Sequence, residues 1–228
     1  MLIQALHRVT QRLADAAGRA GRPAPRLLAV SKTQPAAAIA ELAAAGQRAF
    51  GENYVQEALA KQAELERAAP RALPLEWHLI GHLQSNKARE AATAFDWVQT
   101  VDRAKLVSAL ARHRPADAPP LNVLIQVNID DETSKHGCTP QDVPSLAAAI
   151  AAEPRLRLRG LMAIPAPAPE EAVRRDAFAR MRRLFEALAA EHPQVDTLSM
   201  GMSDDIELAV AEGSTLVRVG TALFGKRN

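Results

Sequence analysis

The sequence predicts an α/β chain folded as a single (β/α)8 TIM-type barrel with an extra N-terminal helix, one domain spanning residues 1–228. Three observations lead there. Short aliphatic or β-branched runs alternate with longer helical patterns almost to the C-terminus, about eight such runs can be counted, and the chain is long enough to bury one large core. Alternation alone also fits an open doubly wound sheet, and the preference for closure rests partly on the strand count.

The opening stretch MLIQALHRVTQRLADAAGRAG places Leu2, Leu6, Val9 and Leu13 at helical spacing, giving the extra helix. The apolar runs then predict strands at Arg26–Val30, Arg48–Phe50, Trp77–Ile80, Trp97–Thr100, Asn122–Val127, Leu158–Met162, Thr197–Met200 and Leu216–Val219. Helices are expected over Pro35–Ala45, with proline in the first turn, and over Val55–Ala68, Lys87–Ala94, Lys105–His113, Asp142–Ala152, Glu170–Glu191 and Asp204–Glu212. The proline-rich stretches Pro115–Pro120 and Pro165–Pro169 are short and read as loops within one domain.

Composition removes several classes of function. Lys and Arg number 28 against 26 Asp and Glu, without a long basic block, so nucleic-acid binding gains no support. Charges, prolines or glycines interrupt every apolar run before the roughly 18 residues of a membrane span, and the N-terminus lacks the apolar core of a secretory signal. A cytoplasmic protein with no membrane partner is therefore expected. Cys138 is the only cysteine, so neither an intrachain disulfide nor a thiolate metal cage can form, and it reads as an ordinary loop thiol.

In a parallel barrel the chemistry sits where strands end, so the polar residues after each apolar run are the candidates. In AVSKT, Lys32 follows the first strand by two positions; a desolvated lysine there can lose its proton and attack an aldehyde, whereas a solvated loop lysine would do nothing. LSMGMSDD offers the Ser199 and Ser203 hydroxyls, Gly201 for close backbone approach, and helix amides for an anion, or only a helix cap. VRVGTALFG places Gly220 and Thr221 after the eighth strand, and phosphate sites in this fold recur after strands seven and eight. Arg218 alternates with Val217 and Val219; inward it would need a buried partner such as a cofactor, outward a helix carboxylate. Asn53, in GENYVQE, is a hydrogen-bonding wall residue or a helix cap. His78 and His82 have the spacing of helical metal ligands, but on a strand they stand roughly 13 Å apart, so no metal site is expected there. His78 remains either a wall residue or a satisfied core histidine.

Taken together, AVSKT, FGENYVQE, WHLIGHLQSNK, ETSKHG, LMAIP, LSMGMSDD and VRVGTALFG run in order from about Leu27 to the C-terminus and resemble the pyridoxal phosphate homeostasis protein family. The resemblance implies a monomeric barrel like the N-terminal domain of alanine racemase. Such a barrel holds pyridoxal 5'-phosphate (PLP) as a Schiff base on Lys32 without known turnover, contributing to intracellular vitamin B6 balance and making at most transient contact with PLP-dependent apoenzymes. It also implies that Ser199, Gly201, Ser203, Gly220 and Thr221 belong to phosphate loops, that Arg218 faces the pyridine nitrogen, that Asn53 lies beside the cofactor, and that Lys135 is auxiliary. A permanently charged arginine at the ring nitrogen disfavours its protonation and weakens the ring as an electron sink. The chain ends at Asn228 directly after the barrel, so the second domain that a racemase needs is expected to be missing. The competing readings are a racemase-like enzyme, a Schiff-base aldolase using Lys32 directly, and a scaffold without ligand.

Overall fold

The structure is a computed structural model that describes residues 1–68, 74–132, 136–166 and 170–225. Its elements run α1 (Leu2–Ala20), β1 (Arg26–Val30), α2 (Ala36–Ala44), β2 (Ala49–Glu52), α3 (Val55–Ala68), β3 (Glu76–Leu79), α4 (Ala88–Ala94), β4 (Trp97–Val101) and α5 (Ala104–His113). There follow β5 (Leu121–Gln126), α6 (Val143–Ala151), β6 (Leu156–Met162), α7 (Glu171–Glu191), β7 (Thr197–Ser199), α8 (Ile206–Ala211), β8 (Leu216–Val219) and α9 (Thr221–Phe224).

The strands are parallel and close in chain order, because β1 pairs with β8 through Arg26↔Leu216, Leu27↔Val217, Leu28↔Arg218 and Ala29↔Val219. That pairing excludes the open sheet. Side chains alternate across each strand, so one set meets the helices and the other fills the barrel. Ala29, Phe50, Leu79, Val98, Val123, Leu161 and Val219 belong to the large core under the helices. Inside the barrel lie two small apolar clusters, Leu28 with Ala49 and Leu216, and Trp97 with Leu124 and Met162. Helix α1 buries Leu6, Val9, Leu13 and Ala17 on one face, packs on α8, α9 and α2, and ends at Gly21 in the left-handed region.

Several boundaries shift by one or two residues from the sequence expectation, and two of the shifts have identifiable reasons. Strand β2 continues through Gly51 and Glu52. Gly51 faces Leu28 and Ile80, where a Cβ would stand 3.1 Å from both, and Glu52 is buried against Lys61 and Ser31. Helix α8 begins at Ile206 rather than Asp204, because Asp205 folds back to accept the Met202 N–H and to donate its own N–H to the Met202 carbonyl.

Candidate functional site

At the C-terminal ends of the strands a cavity of about 300 Å³ is lined by Lys32, Asn53, Ser203, Arg218, Gly220 and Thr221, together with Val30, Gln34, Ile80, Ile164, Met202, Asp204, Phe224 and Gly225. Six of the eight residues singled out in the sequence thus share one space. Ser199 and Gly201 are not on its wall.

The turn carrying Lys32 is fixed from below. Ser31 is fully buried, donates its hydroxyl to Glu52 Oε1 at 2.6 Å and its N–H to the Gly51 carbonyl at 3.0 Å. Lys61 Nζ reaches the Ser31 carbonyl at 2.7 Å, Glu52 at 2.8 Å and Glu57 at 2.6 Å, while the Thr33 N–H also donates to Glu57. Burial is the largest influence on the Glu52 carboxyl and pushes its pKa up, against the opposing bonds from Lys61 and Ser31. Four polar side chains therefore hold the backbone on either side of Lys32, which leaves that partly buried side chain on the cavity wall. On the next strand end, a Cβ on Gly81 would fall 2.0 Å from the Asn53 carbonyl, so only glycine lets the two loops approach closely enough to seat Asn53.

Arg218 points inward and is only 3 % exposed. Its Nη2 donates to the Ala163 carbonyl at 2.8 Å and its Nη1 to Ser199 Oγ at 2.7 Å. The Ser199 hydroxyl in turn donates to Gln99 Oε1 at 2.7 Å, and Gln99 Nε2 lies 2.8 Å from His78 Nδ1. The far ring nitrogen, His78 Nε2, is 2.6 Å from Glu76 Oε1, which also accepts from Arg26 at 2.7 Å. The chain has one direction. A carboxylate can only accept, so His78 carries its proton on Nε2, presents a bare Nδ1 to the Gln99 amide, and turns the Ser199 oxygen toward Arg218 as an acceptor. His78 stacks on Trp97, with ring centroids 5.1 Å apart. Burial, the dominant influence, lowers the pKa of His78, although Glu76 opposes it; burial likewise brings Arg218 down to about 10, which keeps it cationic at neutral pH.

Ser199 is thus the support of Arg218 and not a cavity residue. Gly201 serves packing: its φ is +90°, a Cβ there would lie 2.4 Å from Ala209 Cβ, and its carbonyl accepts the Arg218 N–H at 3.1 Å. The loops after β7 and β8 meet through the Ala222 N–H and Ser203 Oγ at 3.4 Å. Arg12 of α1 clasps the first of these loops, donating to the Ser203 carbonyl at 2.7 Å and gripping Glu207 with two bonds of 2.6 Å. Cys138 is buried beside Val127, and burial first of all pushes its thiol up to about 12, which makes it inert. Lys135, and the end of the proline-rich stretch at Pro169, lie outside the described residues.

Sequence reasoning missed Gln99, Glu52 and Lys61. Gln99 was visible in principle, being two residues beyond Trp97 in WVQTV and so on the same face. Lys61 reads as an ordinary helix-surface lysine, and only the fold brings it under β1 and β2.

The alanine racemase N-terminal domain family matches residues 4–228. The pyridoxal phosphate homeostasis protein of Pseudomonas aeruginosa is 57% identical over 223 residues, covering 97% of this chain and 94% of that one. Its counterpart in Escherichia coli K12 is 52% identical over 225 residues, covering 98% and 95%. Among solved structures, PipY of Synechococcus elongatus with PLP bound superposes with a TM-score of 0.83 at 39% identity, covering 99% of this chain and 100% of that one. Alanine racemase from Corynebacterium glutamicum, at 22% identity and a TM-score of 0.69, shares the fold over 99% of this chain and 62% of its own. With curated relatives matching nearly end to end, the chain belongs to the pyridoxal phosphate homeostasis protein family.

Proposed function

We propose that this chain binds pyridoxal 5'-phosphate as a Schiff base on Lys32 and serves intracellular B6 balance as a holder of the cofactor, without turnover, as one PLP-binding unit over residues 1–228. One observation carries the reading: Lys32, Arg218 and the two loops that follow β7 and β8 line a single cavity of about 300 Å³, at the lower end of the ~300–1,000 Å³ range of small-molecule sites. The donor set fits the cofactor group by group. An amine answers an aldehyde, a guanidinium a ring nitrogen or phenolic oxygen, and the Ser203 and Thr221 hydroxyls with neighbouring loop amides answer a phosphate. The relatives carry the name of PLP homeostasis, and PipY holds PLP in the same fold.

Bond formation joins Lys32 Nζ to the aldehyde carbon and releases the oxygen as water, which requires a neutral amine. When bound, the cofactor supplies an electron sink for groups attached to its imine carbon. The protein's own residues restrain that capacity: Arg218, cationic and braced by Ser199 and Ala163, disfavours a proton on the ring nitrogen. Release of cofactor to apoenzymes by a cytoplasmic monomer completes the proposal.

Purified protein mixed with PLP is expected to absorb near ~420 nm, and borohydride to fix the cofactor covalently to a peptide containing Lys32. Lys32→Ala removes both signals. No absorbance change with wild-type protein, or labelling elsewhere, refutes the reading. Turnover of amino acids or sugar phosphates that Lys32→Ala abolishes would replace it with the enzyme reading.

A further inference from the structure

We infer that His82, Asp102 and His136 form a binding site for a divalent first-row transition-metal ion, with Zn²⁺ as the representative, at the barrel mouth beside the cofactor cavity. This goes beyond the PLP reading and does not depend on it. The three residues follow different strands: His82 comes after β3, Asp102 immediately after β4, and His136 in the loop after β5. One ligating atom from each lies within 4.8 Å of the other two. Ligands at about 2.0–2.2 Å from a tetrahedral ion stand somewhat closer than that, so the exposed histidine side chains must rotate to complete the geometry.

The preparation of the site is visible in what surrounds each ligand. The His82 and His136 rings stack with centroids 3.7 Å apart and 15° between planes. A bound ion lies near the plane of each ligating imidazole, so metal binding turns the two rings out of this stack to converge on it. Asp102 has one oxygen on Arg103 Nη1 at 2.6 Å, and Arg103 is held in turn by the Leu83 carbonyl at 3.1 Å and Ser85 Oγ at 3.3 Å. A carboxylate can keep one oxygen on such an orienting partner and give the other to a metal. Thr100 Oγ1 donates to the Gly81 carbonyl at 2.9 Å, fixing the backbone beside His82. Gln126 Nε2 donates to the His136 carbonyl at 3.2 Å, and the Cys138 N–H to the Gln126 carbonyl at 2.9 Å, fixing the loop beside His136.

Two imidazoles and a carboxylate are borderline donors that suit Zn²⁺, Co²⁺ or Fe²⁺ in preference to Mg²⁺ or Ca²⁺. Three protein ligands leave at least one position for water or an anion, as in exchangeable rather than structural zinc sites. His82 and His136 line a cavity of about 280 Å³ that shares Asn53, Ile80 and Ile164 with the cofactor cavity. The candidate site therefore adjoins the cavity around Lys32, across the wall formed by Asn53, Ile80 and Ile164. His78, whose spacing from His82 first suggested a metal, takes no part, being buried in the barrel between Glu76 and Gln99.

The test uses the full-length protein, stripped of metal by chelator and free of PLP, titrated with ZnCl₂ by calorimetry and with CoCl₂ by visible absorption. Expected are one ion per chain and the d–d bands of a four- or five-coordinate Co²⁺ site. His82→Ala and His136→Ala, both at exposed positions, should each weaken binding more than about tenfold, and Arg103→Ala about tenfold through the carboxylate it orients. His7→Ala, on the exposed face of α1, should leave the titration unchanged. Absence of a one-to-one isotherm, or binding unaffected in both His82→Ala and His136→Ala, overturns the inference. Since the readout is metal occupancy without PLP, its failure is distinct from failure of the cofactor reading.

Discussion

Ser199 shows how one hydroxyl can decide the position of a charge. It accepts from Arg218 only because its own proton is committed to Gln99, whose orientation is set by the bare nitrogen of His78. Ser199→Ala leaves a buried guanidinium N–H without its acceptor and should cost about 1–3 kcal/mol in urea unfolding. A loss below about 0.5 kcal/mol would mean that the Ala163 carbonyl alone suffices. At Gly201 the penalty has a different origin, backbone strain at φ +90° together with a clash against Ala209. Gly201→Val should be destabilising by ~2 kcal/mol or more, and thermal melting reads it. Lys32, Arg218 and the loop hydroxyls were legible from the sequence because they interrupt apolar runs at strand ends. The direction of Arg218 was not, since alternation gives two faces and only closure says which one is inside.

Helix α1 is attached in two ways of unequal strength. Its ion pair from Arg12 to Glu207 is between side chains that are 36% and 44% exposed, so solvent screening leaves it at no more than about 1 kcal/mol. The buried Leu13, by contrast, should cost about 2–5 kcal/mol on truncation to alanine. Arg12 also holds the Ser203 carbonyl, next to the hydroxyl on the cavity wall. Arg12→Ala is therefore expected to weaken PLP binding in fluorescence titration while shifting the melting temperature little, and the reverse pattern would show that α1 only braces the barrel. The helices were the most legible elements, because their 3.6-residue periodicity spans several turns. Strand β2 was cut short in the sequence because Gly51 and Glu52 look like a turn, whereas tertiary crowding and the Lys61 bond make them strand residues.

For the molecule as a whole, the buried polar chain links stability to pH. Burial depresses the folded pKa of His78 below its ordinary 6.5. The unfolded chain then takes up that proton first, so the contribution of His78 is complete above about pH 6.5 and is lost as pH falls through its folded value. Burial alone would raise the Glu76 carboxyl, but the bond from His78 and the Arg26 guanidinium outweigh it and hold the pKa at about 2, a second loss of the same sign at lower pH. Urea midpoints should fall between pH 7 and pH 5, and His78→Gln should flatten that slope; an unchanged slope in the variant would assign the proton uptake elsewhere. None of this was legible in the sequence, where His78 could equally have been a wall residue, because the partners Glu76, Gln99 and Ser199 come from three strands.

The seam between β1 and β8 carries a consequence for assembly. Lys32 belongs to the beginning of the chain and Arg218 to its end, and they become neighbours only when the last strand docks on the first. Contacts so distant in sequence form at a high entropic cost. A small molecule bridging that seam would hasp the ring shut, so the cofactor's grip would be absent from any partly folded chain, and the completed barrel alone would gain from its concentration.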